Sequence, residues 1–471
     1  MMSQQKRKLY RIHLLLSLSL VYGCQGTPSS SLGASNSAPK GDHLLSPASK
    51  SGPLIRTETG WQVQALTPEE LQELWKNPLL ESNQRFALKL YLALAAEKKA
   101  QNFFVSPLGI SLVLQMAWNG ARNQTRSEMA KVLEIEGLNP EQINRGAQLL
   151  MRKLYKPASD IQLEMVNGIF ANDRFEILPD FISKNQTNFA ADVRMLKFKN
   201  GPTQTEINAW VKENTNGRIP ELLSVIGDTD KAENWENFTL MYLINALYFK
   251  AHWHEQFLAF ETKLREFTLV EGTKKQVPMM RQFGEYDYLM PNHPQLKNQF
   301  QAIELVYGDR GKIGLYLFLP SYDRTLVQMQ KELAQLSFQK VFFAFELAHG
   351  SIRLPKFKQS HFLDLSQLLI SLGMKHAFEP ALADFYAMAK PRFEGEKFAI
   401  SEAFQKTFIE INEEGTEASA ASALRPTAQP SSEPLREIEM IVDRPFMYLI
   451  RDNETGQILF MGNVYDPSVE S

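Results

Sequence analysis

A mixed α+β fold follows from three features of the sequence. Runs of β-type residues stand at 243–253, 398–411, 444–450 and 458–462. Other stretches carry helical apolar spacing, the first through Phe86, Leu88, Leu90, Tyr91, Leu94 and Ala95. The composition, 44% hydrophobic and 22% charged over 471 residues, supplies an ample core. Length alone suggests two or three domains. A formal charge of -2 gives no electrostatic reason to expect nucleic acid as a partner. No apolar run reaches the roughly 20 residues that span a bilayer.

The N-terminus reads as an export signal, residues 1–24. Lys6, Arg7, Lys8 and Arg11 precede a short apolar run, and Tyr22-Gly23-Cys24 follows. Gly23 before Cys24 resembles the lipobox of bacterial lipoproteins, which implies lipidation at Cys24 and anchorage in the cell envelope. Tyr22 is bulkier than the small residue usual at its place, so ordinary cleavage and release outside the cell is the other outcome. Cys24 is the only cysteine, which excludes a disulfide within the chain. Residues 25–77 are linker and lead-in. Up to about residue 60 they are rich in Ser, Gly and Pro and lack the large apolar groups that offset ordering entropy.

From Pro78 the pattern is that of a folded body. A helix ends at Lys98-Lys99, and a strand at 102–105 runs into a helix that Ser106 caps, with Pro107 at its first position. Helices are predicted over 123–136 and 140–155, the latter carrying Arg145, Arg152, Lys153 and Lys156 as a solvated face. A strand at 165–170 precedes a helix from Thr205 that Gly217 closes. Strands follow at 243–253, 277–280, 313–319 and 352–357, then a helix over 363–372 ended by Gly373. The chain closes as a hairpin, 444–450 with 458–462, turning at 453–456.

Between the β-type run that ends at Ile411 and the closing hairpin lies an unusual stretch: Glu413, Glu414, Gly415, Thr416, Glu417, Ala418, Ser419, Ala420, Ala421 and Ser422. In extended form Thr416, Ala418, Ala420, Ser422 and Leu424 share one small face, and Glu417, Ser419, Ala421 and Arg425 share the other. Ala, Ser and Glu are poor strand formers, so the stretch suits two states, in a sheet or out of it. A bland Ala/Ser-rich linker has the same composition.

These residues resemble the reactive-loop hinge of the serpins, Glu-x-Gly-Thr-Glu-Ala followed by small residues. Ser106-Pro107-Leu108-Gly109-Ile110 is similar to the family's Phe-Ser-Pro-x-Ser-Ile motif, with Gly109 where a second Ser is usual. Asn245-Ala246-Leu247-Tyr248-Phe249-Lys250-Ala251-His252-Trp253 resembles the central strand, Asn-Ala-x-Tyr-Phe-Lys-Gly-x-Trp. The likeness covers about 78–467 and implies one α+β serpin domain: mixed sheets, about nine surrounding helices and an exposed reactive-centre loop at 413–436. It further implies that Ser106, Asn245 and Gln405 lie beneath the point where the central sheet parts, and Trp253 near the top, where the loop enters. Gln405 replaces a His that the family commonly has there. In some members the helix here at 140–155 binds polyanions.

The resemblance implies a suicide-substrate inhibitor that traps a serine, or less often a cysteine, protease covalently. It would act as a monomer without a cofactor, with no membrane contact except a lipid at Cys24. Family spacing from Gly415 points to Gln429-Pro430 as the cleaved bond. Counting back from Pro445 lands near Pro434, so the bond stays open anywhere in 424–436, which Leu424 and Arg436 bound. A non-inhibitory serpin, a carrier or chaperone, is the alternative.

Other chemistry finds little support. His252 and His254 share a strand face without a third ligand for a metal. Gly308-Asp309-Arg310-Gly311-Lys312 is too short for a phosphate loop, with Ile313 where Ser or Thr is needed. No Gly-x-Ser-x-Gly elbow supplies a nucleophile, so an enzyme is not expected.

Overall fold

The apolar runs around residues 241–252 and 402–411 become the middle of a six-stranded sheet. The computed structural model describes residues 54–57, 60–155, 161–198, 201–215, 217–223, 240–308, 311–416 and 435–469.

The chain opens with a short hairpin, β1 (Leu54–Thr57) and β2 (Gly60–Val63), then helices α1 (Pro68–Lys76) and α2 (Leu79–Lys98). Next come β3 (Phe103–Val105), α3 (Pro107–Trp118), α4 (Asn123–Val132) and α5 (Pro140–Leu154). They lead to β4 (Ile161–Asn172), β5 (Phe175–Ile177), α6 (Pro179–Phe189), β6 (Asp192–Leu196), α7 (Pro202–Asn214) and β7 (Met241–His252). Strands β8 (Lys263–Thr268), β9 (Lys274–Leu289), β10 (Phe300–Tyr307) and β11 (Ile313–Pro320) precede α8 (Leu326–Leu333) and α9 (Phe338–Phe343). Then follow β12 (Glu346–Pro355), β13 (Phe357–Asp364), α10 (Ser366–Ser371), β14 (Ala389–Pro391), β15 (Glu402–Ile411) and β16 (Gly415–Thr416). The chain ends on β17 (Arg436–Ile441), β18 (Phe446–Asp452) and β19 (Ile458–Val464). The described residues thus form ten α-helices and mixed sheets, as an α+β serpin fold requires.

The six-stranded sheet has the order β13-β15-β16-β7-β4-β6. A nine-stranded sheet has the order β17-β12-β9-β10-β11-β18-β19-β3, with β8 added on β9. Behind the six-stranded sheet lies α3, every residue of which is buried, and whose Gly109 N–H Ser106 caps through its Oγ. The opposite face carries a separate apolar cluster in which Trp210 of α7 packs edge-on against Phe170 of β4.

Several boundaries differ from the sequence-based expectation. The strand expected at 352–357 is two strands in different sheets. β12 ends at Pro355, and after Lys356 the chain pairs with β15 instead. The helix expected over 363–372 shrinks to α10, because Leu363 and Asp364 still pair with Gln405 and Phe404. The long run from 398 becomes strand only at Glu402.

Ahead of Pro78, in the stretch read as lead-in, α1 starts from a Thr67 capping box and buries Leu74. Its Glu70 takes paired hydrogen bonds from Arg152 of α5 (2.7 and 2.8 Å), and Arg145 reaches both Glu70 and Glu73. Arg152 also donates to the carbonyls of Gln64 and Ala65. The basic face of α5 is therefore not simply solvated: Arg152 is 5% exposed, with an acidic partner from the chain's own N-terminal side.

Candidate functional site: the opening of the central sheet

Strands β15 and β7 run parallel and pair in register from Glu402↔Tyr242 to Phe408↔Tyr248. Above that point they part, and β16 fills the gap. Gly415 pairs with His252, and Thr416 pairs with both Ala251 and Ile411, antiparallel to each neighbour. Gly415 and Thr416 of the small-residue stretch therefore already lie inside the sheet.

Thr416 is 0% exposed, and its hydroxyl lies 2.7 Å from the Tyr307 hydroxyl, whose pKa burial drives up. Its inward placement agrees with the period-two reading. Gly415 has φ 149°, and a Cβ there would overlap the Ala251 carbonyl oxygen, so only glycine fits between the two strands.

The reversal from β15 into β16 is a four-residue turn, Asn412 to Gly415. Asn412 N–H donates to the Gly415 carbonyl (3.0 Å), and Asn412 Oδ1 accepts from the N–H groups of Glu414 (3.0 Å) and Gly415 (3.2 Å). Trp253, stacked on Tyr307 at 4.4 Å, docks the turn from the far side. Its indole donates to the Asn412 carbonyl at 2.9 Å, and its backbone N–H donates to that of Glu414 at 3.0 Å. Phe257 N–H donates to the Glu413 carbonyl (2.9 Å). Glu413 also accepts from Thr262 Oγ1 (2.7 Å) and pairs with Lys356 (2.9 Å). Burial opposes its charge, but the Lys356 ammonium and Thr262 hydroxyl more than offset this, so its carboxyl is held below the usual range.

Lower down, the paired part of the sheet is crossed by a buried amide chain. Gln405 Nε2 donates to Asn245 Oδ1 (2.6 Å) and to the Ser106 carbonyl (3.0 Å), while Gln405 Oε1 accepts from Ser106 N–H (2.7 Å). Asn245 Nδ2 donates onward to Asn167 Oδ1 on β4 (2.8 Å), and Ser106 Oγ donates to the Leu459 carbonyl (2.6 Å). Gln405, Asn245 and Ser106 are all 0% exposed. Gly109 leaves the room Asn245 occupies, since a Cβ at Gly109 would overlap Asn245 Oδ1.

The structure thus brings Ser106, Asn245 and Gln405 into one network, and Trp253 with Glu413, Glu414, Gly415 and Thr416 into another. Glu417, Ala418, Ser419, Ala420, Ala421, Ser422, Leu424, Gln429 and Pro430 lie outside the described residues, as does Cys24. Arg436 is the exposed first residue of β17, paired with Ala348. His254 Nδ1 lies 3.1 Å from the Gly308 carbonyl oxygen, and no metal-type cluster of three or more His, Cys, Asp or Glu occurs among the described residues. Sequence reasoning did not single out Asn412, Lys356, Thr262, Tyr307 or Asn167. Only Asn412 carries a local signal, an Asn directly after a β-type run and before Glu-Glu-Gly.

One sheet parted at the top, with the short strand Gly415–Thr416 seated in the gap, is the arrangement the serpin resemblance implies. Comparison with known proteins agrees. Residues 81–467 match the family model described as serpin (serine protease inhibitor). Serpin B10 of Otolemur garnettii is 33% identical over 83% of this chain and 100% of its own length. The leukocyte elastase inhibitor of Bos taurus is 32% identical over 83% of this chain and 99% of its own. Human thyroxine-binding globulin complexed with thyroxine superimposes with a TM-score of 0.70 at 27% identity, over 84% of this chain and 100% of its own. The chain belongs to the serpin family.

Proposed function

We propose that this serpin is an inhibitor of serine endopeptidases that acts once per molecule. The protease serine attacks a peptide carbonyl in the loop, the amine leaves, and an acyl ester joins the two proteins. The freed hinge then adds to β16 as a full strand and carries the protease along the sheet before water can reach the ester. The observation that carries this reading is β16 itself, already seated between β15 and β7 above an unbroken β15-β7 pairing. About fourteen inserted residues at ~3.3 Å each give roughly 45 Å of new ladder, and each hydrogen bond adds about 0.5–1.5 kcal/mol net.

The direct test mixes the chain with pancreatic elastase, chymotrypsin, trypsin and subtilisin. A covalent band of summed mass that survives SDS supports the reading, whereas a nicked chain with active protease in every case refutes it.

A second reading, a carrier or chaperone whose loop does not insert, draws on the fold shared with thyroxine-binding globulin and on the closed amide network around Gln405. It predicts nicking without adduct. In either reading we propose export, with Cys24 as the lipid acceptor and the residues from 25 to about 60 as the tether; mass spectrometry of the mature N-terminus tests this.

A further inference from the structure

The turn at Asn412 does more than end β15. It closes a hairpin whose second strand is the first piece of the strand to be inserted. All three of its internal hydrogen bonds are made by Asn412, one through the backbone and two through Oδ1. Its outer face is held by Trp253 and Phe257, residues that follow β7. None of these bonds uses a residue beyond Gly415, so none has to break when further residues add below Thr416.

The costliest step in adding a strand is ordering the first residues before any ladder rewards them. Here that step is already complete. What remains is to separate β15 from β7, pair by pair, from Phe408↔Tyr248 downward, while residues after Thr416 take the vacated partners. We infer that Asn412 is the positioning residue that nucleates strand insertion, and that its side chain sets how fast a cleaved loop enters the sheet. The inference deepens the inhibitory reading and rests on it for its consequence. Slower insertion gives water more time to release the protease, so more molecules end nicked rather than trapped.

The residue type follows from the geometry. Two backbone N–H groups converge on one side-chain oxygen, which Asn or Asp supplies and Ala does not. Asn412→Ala removes both bonds and leaves the backbone free to fray, while Asn412→Asp keeps the acceptor.

The test nicks wild type, Asn412→Ala and Asn412→Asp in the loop with thermolysin in the cold, stops cleavage with EDTA, and times the onset of resistance to urea. The expected result is about ten-fold slower onset for Asn412→Ala, with Asn412→Asp near wild type. With any protease that wild type traps, the ratio of nicked to trapped Asn412→Ala should rise by a similar factor. Equal rates for Asn412→Ala and wild type overturn the inference, even if the intact variant melts lower, because a merely structural turn moves only the melt. A nicked wild type that never gains resistance also overturns it. Absence of an SDS-stable adduct from wild type sinks the inhibitory reading instead, and the nicking kinetics still decide the role of Asn412.

Discussion

Gln405 and Asn245 face each other in register across β15 and β7, joined by a 2.6 Å hydrogen bond from Gln405 Nε2 to Asn245 Oδ1. In the proposed mechanism these are the two strands that separate to admit a third, so this bond would act as a clasp on the transition. An amide does not titrate near neutral pH, unlike the imidazole common at this place in the family. Between pH 5 and 8 the intact protein should convert to an inserted form at a constant rate, whereas Gln405→His should show a titration. Indistinguishable profiles for the two proteins would count against the clasp.

Gly109 and Gln405 depart from the family pattern together, and the geometry says why. Asn245 leans into the space that a Gly109 side chain would fill. Gly109→Ser alone should destabilise the intact chain by about 1–3 kcal/mol through overpacking. Paired with Gln405→His it should cost less than the sum of the single changes. Urea unfolding of the four proteins measures the coupling, and simple additivity would mean that the two sites are independent.

Thr416 is fully buried, its hydroxyl 2.7 Å from the Tyr307 hydroxyl and its backbone paired with Ala251 and Ile411. Thr416→Arg would bury an unpaired charge at the point where insertion starts. The variant should be cleaved as a substrate and form no lasting adduct with a protease that wild type traps. A persistent adduct on a denaturing gel is the contrary result.

Glu70 ties α1 to α5. The hydrogen bonds from Arg152, the largest influence, hold its carboxyl at about 2, below the ordinary 4.5. A lowered folded-state pKa means that the contribution is fully present above about pH 4.5 and is lost as pH falls toward 2. Wild type should therefore lose stability relative to Glu70→Gln across that window, and the two should differ by a constant amount above it. Thermal melts over that acid range measure the difference, and parallel curves throughout would contradict the pairing.

Sequence alone is enough for elements with strong local chemistry: the strand–Ser106–Pro107 helix start and the closing hairpin. It is not enough where tertiary pairing overrides local preference. Lys356 sits in a continuous β-type run, yet the chain changes sheets there, because Phe357 onward finds β15 as a partner. Arg152 read as a solvated charge, since its partner Glu70 is far away in sequence and only packing brings them together. The space at Gly109 that Asn245 Oδ1 occupies has no local sequence signal, because strand β7 and helix α3 meet only through packing.

The most direct measurement is the melting temperature of the chain before and after a single cut in the loop. If the segment beyond Thr416 gains free energy by joining β15 and β7, the nicked protein should melt more than about 10 °C higher than the intact one. Equal or lower melting after the cut would contradict insertion, and with it the inhibitory function.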